Sequence, residues 1–426
     1  MNLKNYIASA KRNSFLRNVA ILSSGTIISQ IIVIAASPFL TRLFPVESFG
    51  ILQLFTSYMV IFAVVSTGRY ELAMGLPEKE DDARKIFQLI VGLGSCVSVF
   101  YLFLIFILKE VFSFSSKFEI LQNWWIYLAP LYIFFIALFS GLIYWLQRQK
   151  DYKKITIANA LQVILTAILG VLFGFLRVGS GLILALVISI ILATFYLLYD
   201  YLKGNKVYSF AEVLAQGKKY ISFPKHMIVS DISLSASQQL TPILFSLFYS
   251  TTIIGFYSMA NRMLRLPNIV ITNSIANVFR NDAIDEIRKI GNCKDLYIST
   301  FKKLVYMSVP IYGLVFIVAP YLFTLVFGQE WLEAGHFARI ICVFLVIEFV
   351  ATPLNTMFYI KEKQKLLMKL QVLNALLGGV FIYIGAIYFE SARVSLILFS
   401  INSILFNLLL LNYSYKIASS ELLFQS

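Results

Sequence analysis

The chain has 426 residues, is 59% apolar with a mean hydropathy of +0.79, and carries a formal charge of +14 from 36 Lys and Arg against 22 Asp and Glu. This balance excludes a soluble globular domain, and apolar runs of about 20 residues recurring from end to end read as an all-α polytopic membrane protein. The basic excess falls mainly in short breaks between those runs, where it sets orientation, so it does not call for nucleic acid. Cys96, Cys293 and Cys342 lack paired spacing, and His226 and His336 belong to no ligand motif, so neither a disulfide framework nor a metal or cofactor site is indicated.

Taken in order, apolar runs set against charged breaks predict about twelve spans: 19–43, 49–66, 86–108, 121–146, 155–176, 179–202, 223–250, 252–279, 304–327, 334–359, 366–389 and 394–415. Lys4, Lys11, Arg12 and Arg17 before the first run resemble the start of a signal peptide, but the run is too long for a signal core and reads as the first span. Most Lys and Arg lie in alternate loops on the amino-terminal side, whereas the opposite loops hold only Arg42, Lys109, Lys117, Arg177 and Arg393. The positive-inside rule then predicts both termini in the cytoplasm.

An internal repeat divides the spans. Tyr144, Gln149-Lys150, Lys154, Asn159-Ala160-Leu161 and Gly170 recur at one constant offset as Tyr359, Gln364-Lys365, Lys369, Asn374-Ala375-Leu376 and Gly385. An offset of about half the chain that preserves loop side predicts two parallel six-helix lobes, 1–202 and 223–426, joined by a cytoplasmic linker at 203–222. Such a duplication places a substrate site in a central cavity near the membrane midplane.

The seventh and eighth spans are the most polar. The seventh carries Asp231, Ser235, Gln238 and Gln239 at helical spacing, and the eighth carries Asn261, Arg262, Arg265, Asn268, Thr272 and Asn273. One arginine at a helix centre costs about 3 kcal/mol to insert, so a pair calls for a hydrated interior or for partners. Two readings stand: a cationic cavity, or an Arg265–Asp231 ion pair that leaves Arg262 alone. The first spans offer Ser23, Ser24, Ser29 and Gln30. Arg69 and Glu71, after the second span, either snorkel to the interface or form a cavity mouth. Glu348 in the tenth span is either a structural acid or an ion-coupling group, and Arg339 is the remaining arginine within a span.

Several stretches carry a resemblance: SPFLTRLFPVESFGILQLF at 37–55, GRYELAMGLP at 68–77, FPKHMIVSDISLSASQQLTPILF at 223–245 and GFYSMANRMLRLP at 255–267. In this order they resemble the polysaccharide-transporter branch of the multidrug/oligosaccharidyl-lipid/polysaccharide (MOP) exporter superfamily, which includes Wzx-type O-antigen flippases. The resemblance implies a flippase, not an enzyme. It implies movement of an undecaprenyl-diphosphate-linked oligosaccharide to the outer leaflet of the bacterial inner membrane by alternating access, driven by H+ or Na+, with polysaccharide polymerase and other assembly proteins as partners. The expected site follows: Arg262 and Arg265 on the diphosphate with Arg69 assisting, Asn261, Asn268, Gln238, Gln239 and Gln30 lining the cavity, and Asp231, Glu348 or Glu71 coupling the ion. The alternatives are a cation-coupled multidrug antiporter, a peptidoglycan-precursor flippase, and a membrane glycosyltransferase or polymerase. For the last, no acid–base pair or long catalytic loop is apparent.

Overall fold

Apolar chain in lipid satisfies its backbone groups internally by coiling into helices. The computed structural model follows that rule: it describes residues 25, 27–111, 123–204, 206 and 208–420, and among them every regular element is helical. In chain order the helices are α1 Ile27–Leu43, α2 Val46–Ser66, α3 Glu80–Phe106, α4 Ala129–Gln149, α5 Tyr152–Phe175, α6 Gly181–Leu202, α7 Phe210–Lys219 and α8 Ser222–Phe248. They continue as α9 Thr251–Leu264, α10 Asn273–Ile290, α11 Lys294–Phe327, α12 Leu332–Leu354, α13 Met357–Ile360, α14 Gln364–Tyr388 and α15 Ala392–Ser419.

Nine helical stretches among the described residues are long and apolar enough to cross a membrane. The other three predicted spans correspond to α1, described over 17 of its residues, and to the polar helices α8 and α9. The eighth span differs from its expected form. α9 ends at Leu264, a π-helical turn occupies Asn268–Thr272, and the chain coils on through α10 to Ile290. Pro267 has no N–H to give the preceding turn, and the extra residue of the π turn absorbs the mismatch. Arg280, Arg288, Lys302 and Lys303, predicted in a loop, thus stand on helices: α10 and α11 run past the apolar segment and meet at a turn around Gly291, whose φ of 81° suits glycine.

Two compact units emerge, with boundaries inside α2 and α8. The first holds 1–44 and 54–236, the second 45–53 and 237–426. In the first, Phe87 and Ile90 of α3, Leu142 and Trp145 of α4, Ile155 of α5 and Ile190, Leu197 and Tyr201 of α6 form a continuous buried core. In the second, Trp331 is fully buried and met edge-on by Phe49 at 5.0 Å, with Phe256 and Phe327 around it. Here the first turns of α2 and α9 cross backbone to backbone, because a Cβ on Gly50 would run into the Thr251 carbonyl and one on Gly255 into the Val46 carbonyl. The repeat-related glycines both sit at close approaches, but to different neighbours: a Cβ on Gly170 of α5 would come to 3.1 Å from Leu40 of α1, whereas Gly385 lets α14 approach α15 at Ser395.

Candidate functional site

Each unit contains a charged cluster built around an arginine. In the second unit, Arg265 immediately follows α9 and is gripped on two sides. Its Nε donates to Asn261 Oδ1 at 2.9 Å, while Nη1 and Nη2 donate to Glu348 Oε1 and Oε2 at 2.6 and 3.4 Å. Asn261 lies one helical turn before Arg265, so the i,i+4 spacing orients the guanidinium, and α12 presents Glu348 to its fork. Arg265 and Glu348 are both half-buried. Arg262 is exposed and makes no hydrogen bond or ion pair among the described residues. The cluster therefore holds one neutralised and one unneutralised guanidinium.

The π turn follows this cluster in the chain. Asn268 is buried, its Oδ1 accepts from Tyr312 Oη at 2.5 Å, and its Nδ2 has no hydrogen-bond partner among the described residues. Thr272 Oγ1 donates to the Asn268 carbonyl, satisfying a group that the irregular turn exposes. Sequence reasoning missed Tyr312: it lies in an apolar run of α11 with no polar periodicity, and its role appears only when α11 packs beside Asn268.

In the first unit, Gly68 and Arg69 take consecutive left-handed conformations, φ 58° and 59°, and so reverse the chain after α2. For a non-glycine residue this backbone is unfavourable and needs surrounding structure to hold it. Here Arg69 Nε donates to Asp231 Oδ2 at 2.5 Å and Nη1 to Glu71 Oε1 at 3.1 Å. Glu71 is 2% exposed, and its Oε2 has no partner among the described residues. Tyr70, between them, donates its hydroxyl to the Gly217 carbonyl of α7 at 3.0 Å.

These pairings replace the Arg265–Asp231 ion pair that the sequence left open: Arg265 takes Glu348, and Asp231 takes Arg69. Asp231 on α8 faces the turn after α2. Of the remaining predicted residues, Gln238 is exposed, Gln239 and Gln30 are half-buried, and Ser23 and Ser24 lie outside the described residues. Arg339 has a local structural role. Its Nε and Nη2 donate to the carbonyls of Phe316 and Ile317 at 2.9 and 3.0 Å. The Phe316 carbonyl is the one that residue 320 would serve in a regular helix, and Pro320 has no N–H to offer it. Among the described residues no group of His, Cys, Asp and Glu is arranged to hold a metal ion.

The sequence profile of a family described as polysaccharide biosynthesis protein matches residues 39–336. No curated protein matches the chain. Among solved structures it is similar to an inward-facing multidrug resistance MATE family transporter of the MOP superfamily, with a TM-score of 0.69 and 17% identity over 95% of this chain and 100% of that one. It is also similar to the lipid II flippase MurJ in an inward closed conformation, with a TM-score of 0.72 and 15% identity over 93% and 87% of the two chains. A MOP superfamily transporter from Pyrococcus furiosus matches at a TM-score of 0.57 and 14% identity, over 94% of each chain. At these identities the structures establish the fold, and the profile, spanning more than half the sequence, establishes the family. The chain is a multi-pass membrane member of the polysaccharide biosynthesis protein family, built on the fold of the MOP superfamily transporters.

Proposed function

We propose that this protein is a flippase for a lipid-linked oligosaccharide, carrying an undecaprenyl-diphosphate-linked repeat unit of a surface polysaccharide from the cytoplasmic to the outer leaflet of a bacterial inner membrane. The observation that carries the proposal is the Arg262–Arg265 pair at the C-terminal end of α9, with Arg262 unneutralised among the described residues and Arg265 held as an oriented fork. A diphosphate entering a low-dielectric environment needs such cations, and a guanidinium receives phosphate oxygens in pairs. The family supports a polysaccharide substrate, and the fold shared with a lipid II flippase supports a lipid-linked one. The lysine-rich loops, by the positive-inside rule, face the cytoplasm together with both termini.

In this reading the isoprenoid tail stays in lipid and transport proceeds by alternating access. Glu348, Asp231 and Glu71, each beside an arginine, are the groups through which H+ or Na+ couples. A protonated Glu348 would release Arg265 to the substrate, so the acid and the diphosphate compete for one cation.

The test is translocation in vesicles. Undecaprenyl-diphosphate oligosaccharide accessible to a soluble lectin is followed with and without an imposed proton or sodium gradient, for the native protein and for Arg262→Gln/Arg265→Gln at matched membrane abundance. Gradient-sensitive translocation by the native protein, reduced at least tenfold in the variant, is expected. Undiminished translocation by the variant would overturn the arginine assignment, and uptake of an organic cation in place of the glycan would overturn the substrate class.

A further inference from the structure

α7 follows the span α6 and packs on the span α3 at the level where α3 changes character. α3 is charged from Glu80 to Lys85 and apolar from Ile86 onward, so it passes the edge of the hydrocarbon near residue 86. α7 meets α3 there. Glu212 approaches Lys85 at 3.9 Å, Gly217 faces Leu89, and just before α7 the Lys206 carbonyl accepts from Gln88 Nε2 of α3 at 2.9 Å. Its start is fixed by a capping box, with the Ser209 hydroxyl accepting from the Glu212 N–H and the Glu212 carboxylate accepting from the Ser209 N–H. These contacts to Ser209 hold the Glu212 carboxyl below the usual carboxylate range.

Around this helix three sides differ. Val213 and Gly217 are buried against α3. On one flank Phe210 and Leu214, one turn apart, are 81% and 42% exposed, followed by Lys218 and then by Ile221, itself 55% exposed. On the other flank stand Glu212 and Lys219, both exposed. An apolar stripe and a polar stripe on opposite flanks of a helix lying at a bilayer boundary is the pattern of an in-plane membrane helix.

We propose that α7 is an interfacial anchor: Phe210, Leu214 and Ile221 insert into the leaflet on the lysine-rich side, and Lys218 and Lys225 bind anionic lipid headgroups. The basic residues favour a lipid surface over a protein partner, because Lys218 follows Leu214 on the same flank, Lys225 is exposed in the first turn of α8, and lysines beside a membrane boundary are drawn to anionic headgroups. The anchor has a consequence for the first unit's cluster. Through the Tyr70 hydroxyl on Gly217, α7 holds the residue between Arg69 and Glu71, so the leaflet restrains the turn that carries them. The inference requires only that the chain spans a membrane and is independent of which substrate is carried.

Depth measurement tests it without reference to transport. In a background carrying Cys96→Ser, Cys293→Ala and Cys342→Ala, an environment-sensitive fluorophore is attached at Phe210→Cys, Leu214→Cys or Lys219→Cys, and the full chain is placed in nanodiscs. Quenching by acyl-chain-brominated lipid at positions 210 and 214 is expected to exceed that at 219 at least threefold, with iodide quenching in the reverse order. Lys218→Gln and Lys225→Gln should each weaken retention of phosphatidylglycerol about fivefold, as expected for one juxtamembrane lysine. Iodide quenching at 210 and 214 equal to that at 219, with no effect of brominated lipid, would overturn the proposal, as would equal retention of phosphatidylglycerol and phosphatidylcholine by the native protein.

Discussion

Arg339 offers a sharp test of which intramembrane arginines are structural. Its Nε reaches the Phe316 carbonyl at 2.9 Å, and Pro320, four residues on, has no N–H to give that carbonyl. Phe316 and Ile317 are exposed on α11, so an unserved carbonyl there faces lipid, where it costs several kcal/mol. A charge-assisted bond in this position is worth about 1.5–3 kcal/mol, and the half-buried setting of Arg339 puts it near the lower end. Ile317 retains the helical N–H of Tyr321 as an alternative donor, so the second bond adds little. The perturbation is a cycle of Arg339→Gln, Pro320→Ala and the double variant, read by reversible unfolding in detergent. Arg339→Gln should cost about 1.5 kcal/mol in the native background and less than about 0.5 kcal/mol in the Pro320→Ala background, where the backbone itself serves Phe316. A cost equal in both backgrounds would refute the reasoning. Translocation at matched abundance should be unchanged by Arg339→Gln, in contrast to Arg265→Gln.

Removing the partner rather than the cation should expose the design of the second cluster: Glu348→Ala leaves the Arg265 fork held by Asn261 alone and should cost about 3 kcal/mol in stability, while Glu348→Gln, which keeps a hydrogen-bond acceptor, should cost less; equal losses would refute the ion-pair account. Gly385→Ala would bring a Cβ to 2.5 Å from the Ser395 Cα, and the resulting separation of α14 from α15 should lower stability by about 1–3 kcal/mol, measured by thermal unfolding. Ser209→Ala removes the α7 cap at a cost of about 1 kcal/mol, visible as faster amide exchange over 210–213. Because the folded-state pKa of Glu212 is lowered, that cap contributes above the ordinary carboxylate pKa of about 4.3 and is lost as pH falls through the folded value; exchange at 210–213 that does not change over that window would contradict it.

Much of the fold is legible in the sequence because spanning a membrane is a property of each segment taken singly. Hydropathy summed along α3 or α12 suffices to make each a span, and lysines counted by loop suffice to predict orientation. The repeat that pairs Gly170 with Gly385 is readable as well, since it is written in residue identities at one constant offset. Polar periodicity also marks Arg262, Arg265 and Asp231 as residues that need partners or water inside an apolar setting. Partnership is not readable. Arg265 meets Glu348 across 83 residues and Arg69 meets Asp231 across 162, and such pairs depend on how two helices are rotated and shifted against each other, which no one-segment property records. The π turn at Asn268–Thr272 and the bond from Tyr312 that steadies it belong to the same class. Arg339 shows the limit most plainly: its charge is visible in the sequence, but the carbonyl it serves is defined by a proline on a neighbouring helix, and only packing brings the two together.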